Sequence, residues 1–131
     1  MNYELKQPRG LRNNNPLNIR RSGDKWQGLR VLQEDREFFQ FSEMKWGWRA
    51  AFRDIITRWA PSKENDTEAY IRRVTDCIGI GPDRELGDPQ THPTQWMMIG
   101  IAMAIVENGT TNLDYLSMLK GFSLAMDEGE K

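Results

Sequence analysis

The chain of 131 residues contains one cysteine, Cys77, and one histidine, His92. A lone thiol excludes a disulfide scaffold and a cysteine-based zinc site. A lone imidazole excludes paired-histidine metal sites and makes a Ser-His triad a poor fit, so no metal or cofactor is expected. Neither charge is in excess: 18 Lys and Arg stand against 19 Asp and Glu, a formal net charge of -1. No global field favours nucleic acid, which is not an expected partner. Long hydrophobic runs are also lacking. The stretch Trp96 to Val106 (WMMIGIAMAIV) falls short of the roughly 20 apolar residues that span a bilayer. No apolar run opens the chain, so neither a signal peptide nor a membrane anchor is expected. The protein is expected to be made in the cytoplasm, and work at a cell wall needs another export route.

What is present divides into an irregular front and a helical remainder. Residues 1–41 carry Pro8, Gly10, Asn13-Asn14-Asn15-Pro16, Gly23 and Gly28, dense turn signals with little helical periodicity. Short extended pieces are expected at Leu17–Arg20, Leu29–Leu32 and Phe38–Phe41, as a small hairpin region. Ser42 reads as an N-cap, after which Trp48, Ala51, Phe52, Ile55, Ile56 and Trp59 recur at helical spacing up to Pro61. A second helix runs from Asp66 or Thr67 to Gly79, with Cys77 on its apolar stripe. Pro93 is placed to open the third, and Asn112 the last, with Leu116, Leu119, Phe122 and Met126 inward. The expectation is one compact, mainly α domain of about four helices, residues 42–126 helical and 127–131 a frayed tail.

The junction of the apolar run with Glu107-Asn108-Gly109 carries the most chemical information. The run has no polar face, so as a helix it is expected to be buried on all sides. Gly109 supplies the left-handed residue that commonly ends a helix. Desolvation and the negative end of the helix dipole both disfavour charge on Glu107. A carboxylic acid kept protonated beside a cleft is the general acid that glycosidic cleavage needs. The plainer reading is a glutamate emerging into solvent at a helix end.

Three other groups of residues admit two readings each. The Asn residues of Arg12-Asn13-Asn14-Asn15-Pro16-Leu17-Asn18 can pair with sugar hydroxyl and acetamido groups, or hold their own backbone in Asx-turns. Among the tryptophans, Trp48 and Trp59 fit a core, whereas Trp26 and Trp46 lie among polar neighbours that suit an exposed stacking platform. Glu64 and Asn65 belong either to a cleft wall or to an ordinary polar surface. The cluster Arg9, Arg12, Arg20, Arg21, Lys25 and Arg30 either meets an anionic polymer or is a solvated surface.

The ordered series RGLRNNNPLNIRR (9–21), WQGL (26–29), FFQF (38–41), WGWRA (46–50), IITRWAP (55–61) and ENDTEAYI (64–71) resembles a family of small phage and prophage proteins. Its members are often labelled virion structural proteins and are regarded as lysozyme-like. The resemblance covers about residues 9–80 and implies an α+β lysozyme-like fold, peptidoglycan as substrate or partner, and a place in the virion or at the wall. Two departures stand out. The segment Ala50 to Ile55 is shorter than usual, as if a helix-turn had been removed. Leu17 stands where Gly is usual and would be strained at a positive φ. Lysozyme-like glucosaminidases and transglycosylases are similar in another respect: a catalytic Glu near the end of a buried helix precedes an Asn-rich turn. Here the turn comes first, implying a circular permutation that brings Glu107 beside Asn13–Asn18. On that analogy Glu107 is the acid and Glu64 or Asp24 a second carboxylate. Arg12, Asn13, Asn15, Asn18, Trp26, Trp46 and Asn65 would then contact the glycan, with other virion proteins as further partners.

Overall fold

The computed structural model describes residues 7–59 and 87–127. The helix expected from residue 66 or 67 to residue 79, and with it Cys77, Glu64 and Asn65, lies outside the described residues. Four helices are described: α1 (Arg9–Arg12), α2 (Met44–Trp59), α3 (Pro93–Asn108) and α4 (Tyr115–Met126). The mainly helical expectation holds. No regular strand is found among the described residues; two isolated antiparallel bridges, Arg20 to Phe38 and Leu29 to Phe41, stand in place of a hairpin. The extended segment 37–42 pairs by its first half with residues 19–21 (Arg21 N to Glu37 O, 2.8 Å; Phe39 N to Ile19 O, 3.0 Å). Its second half pairs with residues 28–30 (Arg30 N to Gln40 O, 2.9 Å; Ser42 N to Gly28 O, 2.7 Å).

α2 is the central element because it has apolar residues on two sides. Trp48, Ala51, Phe52 and Ile55 join Ile99, Ala102, Met118, Phe122 and Ala125 in the larger core. Ala50, on another face, closes a smaller core with Trp26, Phe39 and Phe41. The helix starts at Met44, two residues beyond Ser42, and the Glu43 carbonyl accepts from Trp46 at 3.1 Å. It runs unbroken through Ala50 to Ile55, so the short segment there is plain helix. Trp48 and Phe52 stack at 5.5 Å, and Phe52 meets Phe122 edge-on at 5.0 Å and 87°. Offset and edge-to-face pairs of this kind are favoured by the ring quadrupoles.

α4 lies close along α2 because Gly121 sits over the Trp48 side chain, the Arg49 amide and the Lys45 carbonyl. Its N-cap is Asp114, whose side chain accepts from the Ser117 amide at 3.0 Å, rather than Asn112. Arg53 reaches from α2 to the Ala125 and Asp127 carbonyls, both 3.3 Å, satisfying acceptors left open at the end of α4. Leu116 and Leu119 do not point inward: they are 71% and 49% exposed, while Met118 and Phe122 take the buried positions. The apolar α3 is likewise not wrapped on every side. Ile99 and Ala104 are fully buried, but Met98 and Val106 are about two-fifths exposed.

The close α2–α4 approach has a testable cost. A Cβ at Gly121 would press on the Trp48 Cβ and lie 2.8 Å from two backbone atoms, which cannot move aside as a side-chain tip can. Gly121→Ala gains about 1 kcal/mol in helix propensity and loses about 1–3 kcal/mol to overpacking. Net destabilisation is expected in chemical denaturation; an unchanged or raised midpoint would show that other contacts set the helix spacing.

Candidate active site at the end of α3

α3 begins with Pro93 in its first turn and ends where Gly109 turns left-handed at φ 68°, its amide bonded to the Ile105 carbonyl at 2.8 Å. Both boundaries agree with the sequence reading. They leave Glu107, half-buried, in the last turn. On the other side of the junction, α1 is followed by a coil made from asparagines. Asn14 and Asn18 adopt φ 53° and 52°, a conformation asparagine tolerates better than most residues. The Asn15 amide then bonds to the Gly10 carbonyl at 2.8 Å, and the Asn18 amide to the Asn15 carbonyl at 3.0 Å. Leu17 has no positive φ, so the strain expected there does not arise; the left-handed residue is its neighbour Asn18.

The turn and the helix end are bonded to each other. Asn18 Nδ2 donates to Glu107 Oε1 at 3.1 Å across 89 residues of sequence. Asn108 Nδ2 donates to the Pro16 carbonyl at 2.8 Å and to the Ala104 carbonyl, within its own helix, at 2.9 Å. Gly10 allows the approach, since a Cβ there would lie 2.5 Å from Asn108 Oδ1 and 2.8 Å from Asn18 Oδ1. Gly47 allows another: the Asn14 carbonyl occupies the place of its missing Cβ, pinning the turn to α2. Glu107 therefore sits beside the asparagine turn.

The remaining candidates divide by exposure. Asn15 is fully buried and bonds only backbone: Nδ2 to the Ile19 and Phe39 carbonyls (3.0 and 2.9 Å) and Oδ1 from the Ile19 amide (2.9 Å). Asn13, 5% exposed, donates to Asp35 and accepts from Gln40. These two side chains hold the scaffold rather than facing a ligand. Trp26 is 7% exposed, packed with Phe39, Phe41 and Ala50, and so corrects the expectation of an exposed platform. Its polar neighbours in sequence concealed the fact that the chain folds back over it. Trp46 is half-buried over Gly28, with Lys45 Nζ 5.4 Å from its ring centre. Arg12 is exposed, its Nε donating to the Gln7 carbonyl at 3.0 Å. Asp24 accepts from the Ser22 hydroxyl at 3.0 Å. Among the described residues no cluster of three or more His, Cys, Asp or Glu is arranged to hold a metal ion.

Asp35 and Asn108 were not singled out in the sequence. Asp35 receives the Arg9 guanidinium on both oxygens at 2.7 Å, Asn13 Nδ2 at 3.0 Å, and the Glu37 and Phe38 amides at 2.8 and 3.1 Å. The Arg9 bonds above all, then those from Asn13 and the two amides, hold its carboxyl well below the usual carboxylate range, against the opposing effect of burial. Nothing in the sequence set Asp35 apart from its neighbours Glu34 and Glu37. Asn108 was visible as the middle of Glu-Asn-Gly, but its bond to Pro16 depends on a contact between chain ends.

These observations describe a mainly helical protein. The chain is 39% identical over 132 residues to Protein P5 of Pseudoalteromonas phage PM2, a match spanning 87% of this chain and 79% of that protein. On that identity and coverage it belongs to the family of that phage protein. No family model matches. Among the described residues no helix is long and apolar enough to cross a membrane.

Two outcomes follow from the scaffold beneath the site. Asn15→Ala strands the Ile19 amide and the Phe39 carbonyl, while the Ile19 carbonyl keeps its bond from the Phe39 amide. A loss of about 2–4 kcal/mol is expected in denaturant titrations. A loss under about 0.5 kcal/mol would mean that backbone pairing alone holds the turn. Asp35 contributes through a lowered folded-state pKa, so its contribution is present above about pH 4 and is lost as pH falls further. Asp35→Asn should be less stable than wild type at neutral pH and converge with it in acid. Parallel stability curves over that window would contradict the assignment.

Proposed function

We propose that the protein cleaves the glycan strands of peptidoglycan, with Glu107 as the general acid, on a circularly permuted lysozyme-like scaffold. The observation that carries this reading is the bond from Asn18 Nδ2 to Glu107 Oε1 at 3.1 Å. It joins a carboxyl at the end of an apolar helix to an asparagine turn, the two parts that lysozyme-like enzymes place together. Membership in a phage family agrees with a protein carried in the virion or delivered to the wall.

In this reading Glu107 protonates the leaving oxygen between muramic acid and glucosamine units. The developing oxocarbenium is captured by water or, internally, by the muramoyl 6-hydroxyl, the second route needing no second protein carboxylate. Asp24 and Glu64 are the candidates for such a partner. Asn18 orients Glu107; Arg12, Trp46 and Asn65 are the proposed glycan contacts. Asn13, Asn15 and Trp26 act from beneath, fixing the turn and the extended segments.

The test is release of soluble muropeptides from purified peptidoglycan by wild type and Glu107→Gln, with products identified by mass spectrometry. General acid catalysis is worth about 10²–10⁴-fold, and a loss of that order is expected in the variant. Anhydro or reducing ends would distinguish transglycosylase from hydrolase. Wild type that releases nothing while sedimenting with sacculi would replace this reading with that of a wall-binding or structural virion component.

A further inference from the structure

Asn18 Oδ1 and Asn108 Oδ1 are both buried, and neither accepts a hydrogen bond. They converge on one small space, 2.8 and 2.5 Å from the position of a Cβ on Gly10, with the Asn15 carbonyl oxygen at 2.9 Å. The Asn15 carbonyl already accepts from the Asn18 amide at 3.0 Å, so two unsatisfied carboxamide oxygens border this space, an arrangement folded proteins generally avoid. A carboxamide has nearly the same shape with its oxygen and nitrogen exchanged, so its partners decide which way it points. Asn108 is fixed, because Nδ2 holds two backbone carbonyls, Pro16 at 2.8 Å and Ala104 at 2.9 Å. Asn18 is not: its Nδ2 makes one bond, to Glu107 Oε1 at 3.1 Å.

Reversal of the Asn18 carboxamide would turn Nδ2 toward the unsatisfied Asn108 Oδ1, giving that oxygen a donor. It would also set Oδ1 against Glu107 Oε1. Two oxygens at that separation repel unless a proton lies between them. With Glu107 ionised, the charge-assisted bond from Nδ2 outweighs a neutral bond inside the pocket. With Glu107 protonated that advantage is gone: the acid hydroxyl donates to Asn18 Oδ1, and Nδ2 is released inward.

We infer that Asn18 is a positioning residue whose carboxamide reverses with the proton on Glu107, with Asn108 Oδ1 as the inner acceptor. No proton leaves the pair; one N–H···O bond to the carboxylate is exchanged for an O–H···O bond and an inward N–H···O bond. The consequence for catalysis rests on the reading of Glu107 as the general acid. The protonated carboxyl is held by an acceptor that then turns away, and the ionised product state is met by a donor. Within α3 Glu107 is the sole ionisable side chain. The charged side chains nearest in sequence to the turn are Arg12, bonded to the Gln7 carbonyl, and Arg20, 3.6 Å from Glu37; Arg21, bonded to the Asp35 carbonyl, and Arg9, paired with Asp35 and Glu37, come next.

The experiment is NMR of the Asn18 side-chain NH₂ group in wild type at alkaline pH, where the carboxyl is ionised, and in Glu107→Gln, whose carboxamide imitates the protonated acid by offering a donor. In wild type, nuclear Overhauser contacts from these protons to the Glu107 side chain are expected. In Glu107→Gln they should move to the Gly10 Hα protons, which border the pocket. The same contacts in both proteins would overturn the inference. A second variant, Asn108→Ser, shortens the inner acceptor; combined with Glu107→Gln it should weaken the Gly10 contacts, and undiminished contacts would remove Asn108 from the scheme. The readout needs no substrate. Reversal in a protein that releases no muropeptides would leave the inference standing and sink the catalytic reading. Glu107-dependent activity without reversal would do the opposite.

Discussion

The buried carboxamide of Asn15 is the contact on which the front of the molecule depends. Its side chain is fully enclosed, and it joins Ile19, four residues onward, to Phe39 in a segment far along the chain. The extended segments around it share only two isolated bridges, too few to form an independently stable sheet. Side-chain amides supply the missing bonds. Asn14 donates to the Phe41 carbonyl at 3.1 Å. Gln33 and Gln40 bond reciprocally, Gln33 Nε2 to the Gln40 carbonyl at 2.7 Å and the Gln40 amide to Gln33 Oε1 at 2.8 Å. Each carboxamide offers donors and acceptors together, so it can replace a ladder rung where no neighbouring strand is available.

Fixing the front in this way also fixes the site. The asparagine turn is held from three directions: by Asn15 to the extended segments, by the Asn14 carbonyl over Gly47 to α2, and by Asn108 to α3. None of these contacts involves Glu107, yet together they determine which side chain meets it. Of the four asparagines between residues 13 and 18, the left-handed Asn18 reaches the carboxylate. Its position follows from the conformation of the turn and from the absence of a side chain at Gly10.

This division explains what the sequence could and could not disclose. α3 was legible because proline, an apolar run and glycine are local signals that tertiary structure rarely overrides. The inward face of α2 was legible from its 3.6-residue period. In α4 the period was ambiguous: Leu116 and Leu119 fit an apolar stripe, but Gly121 draws α2 onto the face of Met118, Phe122 and Ala125 and leaves the leucines outside. Trp26 was misjudged because its burial depends on the distant Phe39, Phe41 and Ala50. The meeting of Glu107 with the turn came from likeness to other proteins, since no periodicity connects residues 89 apart. Which asparagine would do so was not readable, because all four are the same residue type.

The basic residues at the front illustrate the same limit from the side of charge. Read along the chain, they form a cluster suited to an anionic polymer. In the fold, Arg9 is held by Asp35 and Glu37, and Arg20 lies 3.6 Å from the other Glu37 oxygen. Arg21 donates to the Asp35 carbonyl, and Arg30 to the carbonyls of Phe41 and Arg12. These guanidiniums are therefore part of the same cross-bracing as the carboxamides. Their fork of donors satisfies several acceptors at once, which a lysine at the same positions would do less well. For any anionic polymer, attraction would thus depend less on the number of arginines than on which of them the scaffold leaves facing outward. Arg12, in the last turn of α1 and adjoining the asparagine turn, is exposed and so meets that condition.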